Sequence, residues 1–198
     1  MDFKNKLRNH IVIGIISAAL VWVLWITGTE LNRAIAGVAF FFLFLVLIIG
    51  PVMRLWRPSE KNLPWDIPWS WRGELGIWFA LLSITHAVYI FYERQGVGTL
   101  RLADYLGLGA LFLTLVLAAT SFEKVINFIG VSSWRWLHSF AYVIFYLVGF
   151  HVINHAFLRT GRPDGWIHWA YLGLMIVVIL FQSSAFIKTV ANYRKSSG

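Results

Sequence analysis

The chain has 198 residues, of which 59% are hydrophobic and only 13% are charged. Soluble domains carry roughly 25% charged residues, so this composition excludes a soluble globular protein and indicates an integral membrane protein. The net charge of +8 is spread between apolar runs rather than clustered on one face, which argues against nucleic acid as a partner. The chain contains no cysteine, which excludes disulfides, thiolate metal sites and covalent c-type haem attachment.

Six apolar runs are each long enough to cross about 30 Å of hydrocarbon. A spanning backbone must satisfy its own hydrogen bonds, so each run is predicted to be a helix, and the chain a single all-α transmembrane bundle over residues 1–198. The first run is longer than a signal-peptide core and lacks a convincing cleavage site, so we expect it to remain in the mature protein. In chain order the predicted spans are Ile11–Gly28, Ala34–Leu55, Gly73–Tyr92, Tyr105–Ser121, Trp134–Leu158 and Ile167–Ile187.

The distribution of positive charge predicts the orientation of these spans. Twelve of the 17 lysines and arginines fall on the side of the N-terminus, so both termini are predicted to be cytoplasmic. Tryptophans at the ends of spans are expected to anchor the helices at the lipid headgroups. They are Trp65, Trp69, Trp71, Trp134, Trp136, Trp166 and Trp169.

Histidines inside the predicted spans are the candidates for chemistry, because an imidazole in hydrocarbon is costly. His10 and His168 lie at span ends, where we expect them to be interfacial. His86 follows Arg72 by 14 residues and His151 follows Arg135 by 16, which places the two histidines within about 3 Å of the same depth. Two neutral imidazoles at matched depth suit the axial positions of a b-type haem. The alternative for His86 is a structural hydrogen bond between helices.

Two further histidines share the fifth span. His138 precedes His151 by 13 residues, about 20 Å along a helix, which suits a second site at another depth. On an ideal helix the two would point about 140° apart, so we expect either a distortion near Gly149 or two different faces. His155, one turn beyond His151, could replace it as ligand or meet a headgroup or haem propionate. Depth matching favours His151.

Several other residues receive structural interpretations. Glu74 and Asp104 lie near the ends of spans and are expected to be solvated. The aromatic run from Phe40 to Phe44 is expected to face lipid or core. Glycines in the spans could make room for a macrocycle, but more commonly allow close helix packing.

Three stretches carry a resemblance to a known family. They are IIGPVMR at 48–54, RGELGIWFALLSITHAVY at 72–89 and SSWRWLHSFAYVIFYLVGFH at 132–151. The chain resembles the ferric-reductase-like transmembrane family, in particular its short bacterial branch of MsrQ/YedZ-type haem-binding membrane subunits. The resemblance implies that His86, His138 and His151 bind b-type haem.

The resemblance also exposes a departure at the second site. Two-haem relatives have a histidine on the third helix where this chain has Arg72. The inner site with His138 is therefore expected to hold a weakly ligated haem, a flavin such as FMN whose phosphate meets Arg72, or nothing.

The resulting functional hypothesis is a multi-pass protein of a bacterial inner membrane that carries electrons through one haem b, or two, without a substrate domain of its own. By resemblance, the donor is expected to be a flavin reductase or quinol, and the acceptor a periplasmic or complex-bound redox protein. Two alternatives remain open at this point. One is a haem-b subunit integral to a larger respiratory or photosynthetic complex, and the other is a haem-free structural subunit.

Overall fold

The computed structural model describes residues 3–56, 71–94, 99–158 and 165–196, and the regular elements within them are helical throughout. The all-α prediction is therefore confirmed. The elements are α1 Phe3–Ile26, α2 Leu31–Trp56, α3 Arg72–Glu93, α4 Leu102–Ala119, α5 Glu123–Ile129, α6 Val131–His138, α7 Ala141–Ile153, a π-helical turn Asn154–Leu158, and α8 Trp166–Ser196.

Six segments of these ranges are long and apolar enough to cross a membrane, which confirms the number of predicted spans. They are Leu7–Ile26, Leu31–Leu55, Arg72–Glu93, Leu102–Ala119, Val131–Leu158 and Trp166–Lys195. The helix of the predicted sixth span continues beyond Ile187 to Ser196. The cytoplasmic position of both termini stays a prediction. Four of the charged residues counted for it and two of the tryptophans expected to anchor the helices lie outside the described residues: Arg57, Lys61, Arg159, Arg162, Trp65 and Trp69.

Helix α2 lies at the centre of the bundle and packs against α1, α3 and α8. Its most apolar window is 56% buried inside the protein, against 17–22% for the windows of the other five spans. Phe40 and Phe42 of α2 are in the core whereas Phe41 is 37% exposed, so the aromatic run divides between core and lipid as expected. Helix α4 packs mainly on α7 and also touches α3.

The fifth span is not one continuous helix. Helix α6 ends at His138 and α7 begins at Ala141, with a tight turn between them closed by Ser139 N–H to Trp136 O at 3.0 Å and Phe140 N–H to Leu137 O at 3.0 Å. The distortion was expected near Gly149, which is wrong: Gly149 is buried within regular α7 against Met175. Because the helix breaks between His138 and His151, the 140° separation of an ideal helix does not apply to them.

Candidate functional site

The predicted histidines of α3 and α7 lie towards the same end of the bundle. We call this the distal end, where α2 and α4 begin and α3 and α7 finish. His151 and His155 both lie close enough to His86 to interact with it electrostatically. The rings of His151 and His155 are stacked, with centroids 6.4 Å apart and planes inclined by 29°. His155 belongs to the π-helical turn, a local widening that often accompanies functional sites.

His86 is held by a side chain from the neighbouring helix. Its Nδ1 lies 2.6 Å from Oδ1 of Asn32, which sits in the first turn of α2. An amide oxygen can only accept a hydrogen bond, so Nδ1 must be the protonated donor. In the neutral ring the lone pair is then on Nε2, the nitrogen available to a metal.

His151 is held in the same way by backbone. Its Nδ1 lies 2.6 Å from the carbonyl oxygen of Ala103 in the first turn of α4. A carbonyl also only accepts, so this ring too donates from Nδ1 and keeps its lone pair on Nε2. The ring rests against Gly107, where a Cβ would lie 3.1 Å from Nδ1 and 3.2 Å from Cε1. Glycine at 107 therefore makes room for the imidazole directly against the backbone of α4.

The two rings thus share the pattern found around metal-bound histidine, in which one nitrogen donates to a carbonyl and the other faces the metal. Helices α3 and α7 are not a closely packed pair: α3 packs on α2, and α7 on α4. Among the residues that the structure describes, no group of three or more metal-ligating side chains occurs. A haem needs only two axial ligands from protein, so the donor set of His86 and His151 fits that group.

The inner candidate residues also come together, at the opposite end of the bundle. His138 is partly buried, and its ring lies on the indole of Trp134 with centroids 4.3 Å apart. Arg72 is close enough to His138 to act on it electrostatically. Nε2 of His138 and Nε1 of Trp134 are buried, and neither has a hydrogen-bond partner within the described part of the chain. This set suits a polar or anionic group better than a second bis-imidazole site.

Three polar residues at helix ends differ from expectation. Glu74, expected to be solvated, is 8% exposed and accepts a hydrogen bond from Nδ2 of Asn9 at 3.3 Å, which joins α3 to α1. His168, expected at the interface, is 7% exposed and lies edge-on to Tyr171. Nearness to a helix end gives depth along the helix, but does not show whether a neighbouring helix covers the side chain.

Asp104, the third of these residues, was also expected to be solvated. Its side chain is only 12% exposed and forms an ion pair with Arg94, Nη1 to Oδ1 at 3.0 Å. The other carboxylate oxygen, Oδ2, accepts the backbone N–H of Arg101 at 2.9 Å and so caps α4. Sequence reasoning missed Asn32 and gave Asp104 only a solvated role, although each is a polar residue in the first turn of a span.

The chain was compared with known proteins. No protein-family model matches it. It is 29% identical over 159 residues to magnetosome protein MamZ of Magnetospirillum gryphiswaldense, and 30% identical over 159 residues to the protein of the same name from Paramagnetospirillum magneticum. Each match covers 76% of this chain but only 23% of the relative. The chain therefore corresponds to less than a quarter of the length of these two proteins.

Proposed function

We propose that this chain is a b-type haem protein that carries electrons across a membrane to a redox partner. One observation supports the proposal above all: two histidines on different spanning helices, towards the same end of the bundle, each donate Nδ1–H to a carbonyl oxygen, which leaves the lone pair of Nε2 for a metal. Intramembrane histidines that served only for packing would not need to share this orientation.

Each residue of the distal end has a part in this proposal. A bound haem supplies one-electron redox chemistry, and the protein supplies position and surroundings. Nε2 of His86 and Nε2 of His151 would hold the haem iron. The oxygens of Asn32 and Ala103 hold the two rings in orientation and increase the basicity of Nε2. If both imidazoles bound the iron, they would leave no open position for a small substrate, which would favour electron transfer over catalysis on the metal.

The partners follow as proposals from the resemblance to the ferric-reductase-like family. The electron donor is a flavin reductase or a quinol, and the acceptor is a periplasmic or complex-bound redox protein. Both relatives are magnetosome proteins by name. We therefore propose the magnetosome membrane as one setting for such a domain, beside the bacterial inner membrane.

A second candidate is supported by the same two hydrogen bonds. The His86–Asn32 bond links α3 to α2, and the His151–Ala103 bond links α7 to α4, so both could serve only to hold helices together. In that case the chain would be a haem-free structural or assembly subunit. An integral haem-b subunit of a larger complex would keep the haem and would co-purify with stable partners in mild detergent.

Absorption spectroscopy of the purified protein separates the haem-binding candidates from the haem-free one. Reduced protein should show the α band of a low-spin b-type haem, and His86→Ala and His151→Ala should each abolish it. His10→Ala is the matched control, since His10 lies at the other end of α1 from this site and should leave the spectrum intact. A wild-type protein without the band, or full haem in both of the first two variants, would contradict the proposal.

A further inference from the structure

An ion pair lies beside the candidate haem ligands and is not needed to hold a metal. Arg94 follows the last residue of α3, and its Nη1 lies 3.0 Å from Oδ1 of Asp104 in the first turn of α4. The two side chains are 38% and 12% exposed. The carboxylate is thus largely removed from water, where its charge is weakly screened.

Asp104 is connected to His151 through the first turn of α4. Its Oδ2 accepts the backbone N–H of Arg101 and fixes the first turn of α4. The carbonyl of Ala103 in that same turn receives Nδ1–H of His151. Asp104 is also close enough to His151 for a direct electrostatic interaction. The orientation of the imidazole therefore depends on a turn that Asp104 holds in place.

The ion pair also reaches the other candidate ligand. Arg94 lies eight residues after His86 at the end of the same helix. Its bond to Asp104 ties the end of α3, which carries His86, to the start of α4, which supports His151. One contact thus couples the two helices that present and orient the two imidazoles.

We propose that the Arg94–Asp104 pair is a positioning and redox-tuning element for this site, an inference that rests on the haem-binding function proposed above. The negative charge of Asp104 stabilises the more positive ferric state, and the positive charge of Arg94 opposes it. Removal of the carboxylate should then favour the ferrous state, and removal of the guanidinium should favour the ferric state. The opposite signs distinguish tuning by charge from a general loss of structure.

Redox titration of the α band tests this in the 198-residue chain in detergent. Asp104→Asn should raise the ferrous-to-ferric ratio at a fixed ambient potential about tenfold, which corresponds to a rise of 59 mV in the one-electron reduction potential. Arg94→Gln should shift the ratio downward, and the double variant should return to within about threefold of wild type. Glu30→Gln is the matched control, because it also removes a carboxylate at the distal end that is paired with an arginine, Arg33 at 3.2 Å. Glu30 is 71% exposed, so solvent screens its charge and the ratio should stay at the wild-type value.

The possible outcomes are distinct. If Asp104→Asn fails to fold, Arg94→Gln and Asp104→Glu decide, since the glutamate keeps the charge and should keep the wild-type ratio. Equal shifts in the same direction from Asp104→Asn and Arg94→Gln would overturn the tuning role, as would no shift in either. A wild-type protein that binds no haem would instead overturn the proposed function, and this is measured first.

Discussion

Gly107 offers the sharpest single test of the site, because the three atoms nearest to a methyl group there would all belong to the ring of His151. A Cβ at 107 would lie 3.1 Å from Nδ1 and 3.2 Å from Cε1 of the ring, a few tenths of an ångström inside ordinary contact. The ring must then shift, and its 2.6 Å bond to Ala103 O lengthens. Overpacking of this kind destabilises the folded protein by about 1–3 kcal/mol. Disturbing the hydrogen bond that orients a metal-binding histidine lowers its affinity for the metal about 10–100-fold.

The same helix provides a matched control for this variant. A Cβ at Gly109 would meet only Cδ1 of Leu147 at 3.8 Å, an ordinary contact. Both glycine-to-alanine changes raise helix propensity by the same amount, about 1 kcal/mol, so this contribution cancels in the comparison. Haem titration of the purified apoprotein should show weaker binding by Gly107→Ala, by at least about tenfold, and unchanged binding by Gly109→Ala. Equal affinities in the two variants would show that His151 does not bind haem from this position.

Three further predictions concern other contacts. Asn32→Leu removes the acceptor of His86 and should weaken haem binding about 10–100-fold in the same titration, whereas Asn32→Asp keeps an acceptor and should bind nearly normally; equal loss in both would contradict the orienting role. His138→Ala should leave the haem-to-chain ratio unchanged in a pyridine haemochrome assay, since its neighbour Arg72 cannot supply a second axial ligand, and a fall by half would show that the inner site holds a haem. Glu74→Ala leaves the amide of Asn9 buried without its acceptor and should destabilise the protein by about 1–3 kcal/mol, seen as a lower melting temperature in detergent than for Glu74→Gln; identical melting would mean that the pair contributes nothing.

The sequence by itself determined the membrane class, the helical architecture and the number of spans. These depend on local properties, because each span must be apolar over the thickness of the bilayer and must satisfy its own backbone hydrogen bonds. Depth along a helix is local too, since it is counted at about 1.5 Å per residue from the end. Counting in this way paired His86 with His151 as a prediction, although the break between His138 and Ala141 means that the count from Arg135 to His151 does not follow one regular helix.

Only the tertiary structure decided which groups surround those histidines. Asn32 and Ala103 are 54 and 48 residues from their partners, and no local pattern indicates that they would meet. The burial of Glu74 and Asp104 and the break between His138 and Ala141 likewise depend on which helices pack together. Where the outer surface of the spans is as apolar as their core, hydrophobic periodicity does not distinguish a side that faces lipid from a side that faces protein, so the packing of the helices decides which side of each one is buried.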